Sequence, residues 1–207
     1  MARSGVLLAL CAVVCFVGSG CYSPKPIPKD YFDQEPEMSV TVGKCPAKPR
    51  LADSGDAGGN IITAAVAGVS AMGRAGKMRD AMEGISGDTV KELVRQRFEA
   101  SIEDYFDIYE EGQLQTTIDI DQWGWFVPTS VAGIRSGAYE FTLSGKVTIK
   151  DKEKKKKSKI AAIKTMATAT IGDKPTAKES QEALLECADA FASQAVAFLT
   201  KEQAGSP

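Results

Sequence analysis

Residues 139–149 and 160–171 each alternate apolar and polar side chains, and a lysine-rich stretch separates them. Tyr139, Phe141, Leu143, Val147 and Ile149 share one face of the first run. Ala161, Ile163, Ala167, Ala169 and Ile171 share one face of the second. A period of two fits a half-buried strand and would scatter these residues around a helix. Two such runs joined by charged residues 150–159 predict a β-hairpin with a long charged tip. Residues 113–122 form a third run, with Leu114, Thr116, Ile118 and Ile120 inward and Gln115, Thr117, Asp119 and Asp121 outward.

Helical spacing flanks these strands. Over residues 88–109, Val90, Leu93, Val94, Phe98, Ile102, Tyr105, Phe106 and Tyr109 recur at helical intervals, and Thr89 and Glu92 form a capping-box pattern. Over residues 176–201, Thr176 and Glu179 repeat that pattern ahead of a stripe of Leu184, Cys187, Ala188, Phe191, Ala195, Phe198 and Leu199. Residues 38–45, with Val40 and Val42 on one face, read as a first strand. The expected class is α+β: an antiparallel sheet of about four strands with two long helices packed on one face. That domain spans residues 38–201, and residues 202–207 are a frayed tail. Residues 61–82, rich in Gly and Ala, form a helical insert that either packs on the domain or enters a lipid surface or partner groove.

The first twenty residues carry one early charge, Arg3, then twelve apolar residues and a Gly18-Ser19-Gly20 exit. These are the parts of a secretory signal peptide, and the apolar run is short for a membrane span. Cys21 follows directly. The stretch from Val17 to Cys21 resembles the lipobox of bacterial lipoproteins, with Gly18 where that family prefers Leu. The resemblance implies that Cys21 becomes the acylated first residue of the mature chain. Tyr22 at the next position implies the periplasmic face of the outer membrane, with an inner-membrane lipoprotein or a soluble periplasmic protein as alternatives. With Cys21 acylated, Cys45 and Cys187 remain, either as a disulfide or as two separate buried thiols. Residues 22–37 contain Pro24, Pro26, Pro28 and Pro36. They are expected to be an extended tether reaching roughly 50 Å from the bilayer.

The chain holds no histidine, which excludes Ser-His and Cys-His nucleophile arrangements and the commonest zinc ligand. The net charge of −2 gives no global attraction to nucleic acid. Gly68 and Gly73 imitate a phosphate loop, but Arg74 and Ala75 stand where lysine and a hydroxyl residue are needed. Asp119 and Asp121 place two carboxylates on one strand face without a third ligand, and the acidic residues from Glu103 to Glu111 read as a solvated helix end. No catalytic residue, metal ligand or cofactor is expected beyond the covalent lipid on Cys21.

Two patches are candidate contact surfaces. Trp123, Trp125 and Phe126 stand together after a strand, at the start of an expected loop, where the tryptophans either cap the open end of the core or meet a partner; tryptophan is enriched in binding hot spots. Lys154, Lys155, Lys156 and Lys157 form the hairpin tip, suited to anionic lipid or an acidic polymer. In element order the chain resembles small bacterial envelope lipoproteins: the lipopolysaccharide-assembly, penicillin-binding-protein activator and transport-auxiliary lipoproteins. The resemblance implies a non-enzymatic binding or scaffold module, tethered to the membrane and facing an envelope protein partner. A carrier or chaperone of lipid or glycolipid is the alternative.

Overall fold

The structure, a computed structural model, describes residues 23–50, 52–53, 80–127, 139–154, 159–171 and 176–201. Among the described residues, three helices and five strands follow in the order α1 (Asp30–Gln34), β1 (Met38–Val42), β2 (Ala52–Asp53), α2 (Gly87–Ile102), β3 (Leu114–Val127), β4 (Tyr139–Asp151), β5 (Lys159–Ile171) and α3 (Ala177–Leu199). The strands form one sheet in the order β1-β3-β4-β5, and β2 pairs with the far end of β3. This is the expected α+β class.

The sheet is antiparallel across β3-β4-β5 and parallel at its edge. β1 runs parallel to β3, with Met38 opposite Leu114 and Val42 opposite Ile118. The reason is the connection. A tight turn joins antiparallel strands, whereas here the chain passes through α2 before returning to β3, and such a crossover delivers parallel strands. The expected hairpin of β4 and β5 is present, with Val147 opposite Ile163 and Leu143 opposite Ala167.

Helices α2 and α3 pack together and cover one face of the sheet. Val90, Val94, Phe98 and Ile102 of α2 are fully buried at four-residue spacing. In α3, Leu184, Cys187, Ala188, Phe191, Ala195 and Leu199 meet Phe141, Leu143, Val147 and Ile149 in one core. Each large apolar side chain so buried contributes about 1.5–3 kcal/mol. Thr176 and Glu179 form the full capping box at the start of α3. At α2 the expected box is replaced: Ser86 is the cap, accepting from the Thr89 N–H at 3.1 Å. Glu92 instead pairs with Arg95 at 2.6 Å. The helix also stops at Ile102, earlier than expected. Phe106 turns into the core, and the Tyr109 N–H donates to the Met38 carbonyl at 2.9 Å, so edge pairing takes the chain out of the helix.

The proline-rich segment is not an extended tether over its described part. The Lys25 N–H donates to the Ala162 carbonyl and the Lys25 carbonyl accepts from the Ala162 N–H, both at 2.9 Å, and the Ile27 N–H donates to the Leu199 carbonyl at 2.9 Å. Ile27 and Tyr31 are buried. The alternation of proline explains the pattern. Pro24, Pro26 and Pro28 have no N–H to satisfy, and the residues between them place theirs on the domain. Residues 25–34 thus cross one end of the sheet and helices, and the folded unit begins at least as early as Lys25. Most of the Gly/Ala-rich insert lies outside the described residues; of its end, Ala81 and Met82 are buried in the core.

Candidate functional site

The two tryptophans are held by an irregularity in β3. Up to Ile120 the even-numbered residues face the core. Ile120 stands opposite Gly145 and Gln122 opposite Ser144, so Asp121 is an extra residue. A bulge of this kind shifts the side-chain phase by one. Beyond it the odd-numbered Trp123 and Trp125 face inward, at 0% and 1% exposure. Gly145 makes room, because a Cβ there would lie 2.6 Å from the Asp119 carbonyl oxygen. The strand consequently continues to Val127, where sequence periodicity predicted a loop.

These tryptophans are core residues, which corrects the expectation that one of them meets a partner. Trp123 Nε1 donates to the Pro46 carbonyl at 2.7 Å. Trp125 packs edge-on against Phe141 and Tyr139, with ring centroids 5.3 and 6.3 Å away. Its Nε1 is buried with no hydrogen-bond partner among the described residues. Residues 44–50 lie along the bulged strand: the Arg50 N–H donates to the Trp123 carbonyl at 2.8 Å, and Arg50 Nη1 donates to Gln122 Oε1 at 2.7 Å. Gly124, at φ 132°, lies directly beneath Arg50. The backbone of Phe126 pairs with Ala52 and Glu140. Its side chain lies outside the described residues.

Asp119 serves the fold. Its Oδ1 accepts from the Lys44 N–H at 3.0 Å, just where the chain leaves β1. Because Asp121 is the extra residue of the bulge, the two carboxylates do not share a regular strand face. No cluster of three potential metal ligands exists among the described residues.

The end crossed by residues 25–34 holds the domain's buried acid. Asp151 is 2% exposed and accepts from Tyr31 Oη at 2.7 Å and from the Glu153 N–H at 2.9 Å. Burial alone pushes its carboxyl pKa up. The Tyr31 and Glu153 hydrogen bonds and the charge of Lys154 outweigh that and hold it below the ordinary value. Burial raises the Tyr31 phenol. Lys154 Nζ lies 4.8 Å from the Tyr31 ring centre, and its pKa is raised, first by Tyr31. Of the lysine run, Lys154 is therefore an exposed residue resting on α1. Lys155, Lys156 and Lys157 lie outside the described residues, as does Cys21.

Cys45 and Cys187 are free thiols, which decides between the two readings of that pair. Cys187 is fully buried, contacts the Phe141 carbonyl at 3.5 Å, and has its pKa pushed up to about 12 by burial. Cys45 is half-buried, and burial raises its thiol pKa too. Among the described residues, the large aromatic side chains open to solvent are Tyr105 and Tyr109, at 39% and 54% exposure. They follow α2 on the segment expected to be its last turns. Helical periodicity could not show that the chain unwinds there and leaves them outward.

No helix among the described residues is long and apolar enough to cross a membrane. No sequence-family model matches the chain, and a search of curated proteins finds no relative. Similarity appears in solved structures. A protein of the DUF330 family from Xanthomonas campestris superposes with a TM-score of 0.50 at 10% identity, covering 88% of this chain and 97% of its own. A proposed lipoprotein from Caulobacter crescentus gives 0.41 at 15% identity, covering 64% of this chain and 99% of its own. A PelC dodecamer from Paraburkholderia phytofirmans gives 0.38 at 10% identity, covering 86% and 94%. At these identities likeness speaks for fold alone, and only the first superposition is close enough to do so.

Proposed function

We propose that this chain is a lipid-anchored domain of the bacterial cell envelope, acting as a non-enzymatic binding or scaffold module. The observation that carries the reading is the position of the fold relative to the leader. Residues 1–20 have the organisation of a signal peptide, Cys21 follows it, and folded structure is already established at Lys25, with Ile27 buried. A permanent membrane helix would need a longer apolar run. The absence of histidine and the structural employment of Asp119 and Asp151 favour binding over catalysis. Tyr105 and Tyr109 replace the buried tryptophans as aromatic contacts for an envelope partner. The outer membrane, periplasmic face, is the proposed location.

The test is the mature N-terminus. The full chain is expressed with its leader in a bacterium with two membranes, recovered, and weighed intact. Cleavage before Cys21 with the added mass of acyl chains is expected, together with two titratable thiols after denaturation, those of Cys45 and Cys187. Recovery with three thiols and no acyl mass sinks the reading. Cys21→Ser is expected to move the protein from the outer-membrane fraction to the soluble periplasm.

A further inference from the structure

We infer that the domain lies directly on the membrane, with the end crossed by residues 25–34 facing anionic lipid head groups through Lys25, Lys29, Lys154 and Lys201. This rests on the acylation of Cys21 proposed above and adds an orientation and a lipid chemistry to it.

The first support is reach. Cys21 lies four residues before Lys25, and Lys25 is fixed to Ala162 by two backbone hydrogen bonds. Four extended residues span at most about 14 Å. A lipid on Cys21 therefore holds this end of the domain within that distance of its own attachment point. Had the proline-rich segment been free, any face could have turned to the bilayer.

The second support is charge. Lys25 and Lys29 are exposed, on either side of buried Ile27. The Ile27 N–H bonds to the Leu199 carbonyl, which places Lys201 at the same end. Lys201 Nζ lies 4.7 Å from the Phe198 ring centre. Lys154 rests on Tyr31, four residues past Ile27. Four exposed lysines thus gather where the lipid must be. Asp30, Asp33 and Glu153 lie among them, and Glu153 Oε2 accepts from Gln113 Nε2 at 3.4 Å. Electrostatic attraction to an anionic surface acts within roughly 8 Å at physiological salt, a distance that a leash of at most about 14 Å lets these lysines reach.

Amine accessibility tests this with the unaltered protein. The acylated full-length mature chain is placed in detergent micelles, in vesicles of phosphatidylcholine, and in vesicles of phosphatidylcholine and phosphatidylglycerol in equal parts. Each is treated with an amine-reactive probe and read by peptide mass spectrometry. Lys25, Lys29, Lys154 and Lys201 are expected to react several-fold more slowly on the phosphatidylglycerol vesicles than in micelles. Lys48 and Lys178, exposed away from this end, are expected to react alike in all three. Uniform reactivity of all six on vesicles, in protein whose acyl mass is present, overturns the inference and leaves the anchor standing. Equal slowing on phosphatidylcholine alone overturns the recognition of anionic lipid. Absence of the acyl mass removes both.

Discussion

The phenol of Tyr31 donates a 2.7 Å hydrogen bond to Asp151 Oδ2, joining two buried side chains 120 residues apart. The contact ties the segment before β1 to the far end of β4. It also explains how a carboxylate is tolerated at 2% exposure: its acceptor capacity is met by the phenol and by the Glu153 N–H, with Lys154 alongside.

Tyr31→Phe removes that donor and keeps the ring. A hydrogen bond to a charged acceptor contributes about 1.5–3 kcal/mol, so a loss of that order is expected at neutral pH. The sign of its pH dependence follows from the depressed carboxyl pKa of Asp151. A carboxylate held below its unfolded value contributes stability that is complete above the unfolded pKa, near 4, and lost as pH falls through the folded one. The wild-type protein should therefore lose stability in acid more steeply than the variant. Urea midpoints at neutral pH and near pH 3 check this, and a gap between the proteins that is the same at both would defeat it.

Trp123 and Trp125 are both buried; among the described residues Trp123 has a partner for its indole N–H and Trp125 has none. Phenylalanine removes a similar volume at each site. Trp123→Phe also leaves the Pro46 carbonyl unmatched, whereas Trp125→Phe discards an N–H that was already unpaired. The first variant should be less stable than the second by about 1–3 kcal/mol. Chemical denaturation followed by far-UV circular dichroism measures both, and equal losses would refute the assignment. Replacing either with alanine should cost about 3–5 kcal/mol.

Gly124 and Gly84 both have positive φ, at 132° and 84°, in different surroundings. A Cβ on Gly84 meets nothing within 4 Å; one on Gly124 would fall 2.3 Å from the Arg50 carbonyl oxygen. Gly84→Ala should cost only backbone strain, about 1–3 kcal/mol. Gly124→Ala adds a collision with backbone and should displace residues 46–50 from β3. Faster amide exchange at Arg50, whose N–H bonds to the Trp123 carbonyl, is the expected sign; unchanged exchange there would contradict it.

Sequence periodicity by itself determined the strands at residues 114–120, the β4-β5 hairpin, and the capped, striped helix α3. Each rests on local repetition: a strand must alternate, a helix must return every three to four residues, and Thr176 caps an N–H three positions away. The reading of residues 1–20 as a leader ahead of Cys21 rests on the same kind of local pattern and falls outside the described residues. The tertiary structure alone decided the rest. One extra residue at Asp121 reverses the phase of β3, so tryptophans that look like the start of a loop become core. Whether Cys45 meets Cys187 is a matter of distance, which spacing along the chain does not contain. The proline-rich segment depends on acceptors that α3 and β5 supply from more than a hundred residues away. Proline stiffness alone predicts a free spacer, whereas the N–H groups of Lys25 and Ile27 find carbonyls at Ala162 and Leu199. That change in the segment before the first strand fixes Lys25, four residues after Cys21, to one lysine-bearing end of the domain, an outcome no local pattern encodes.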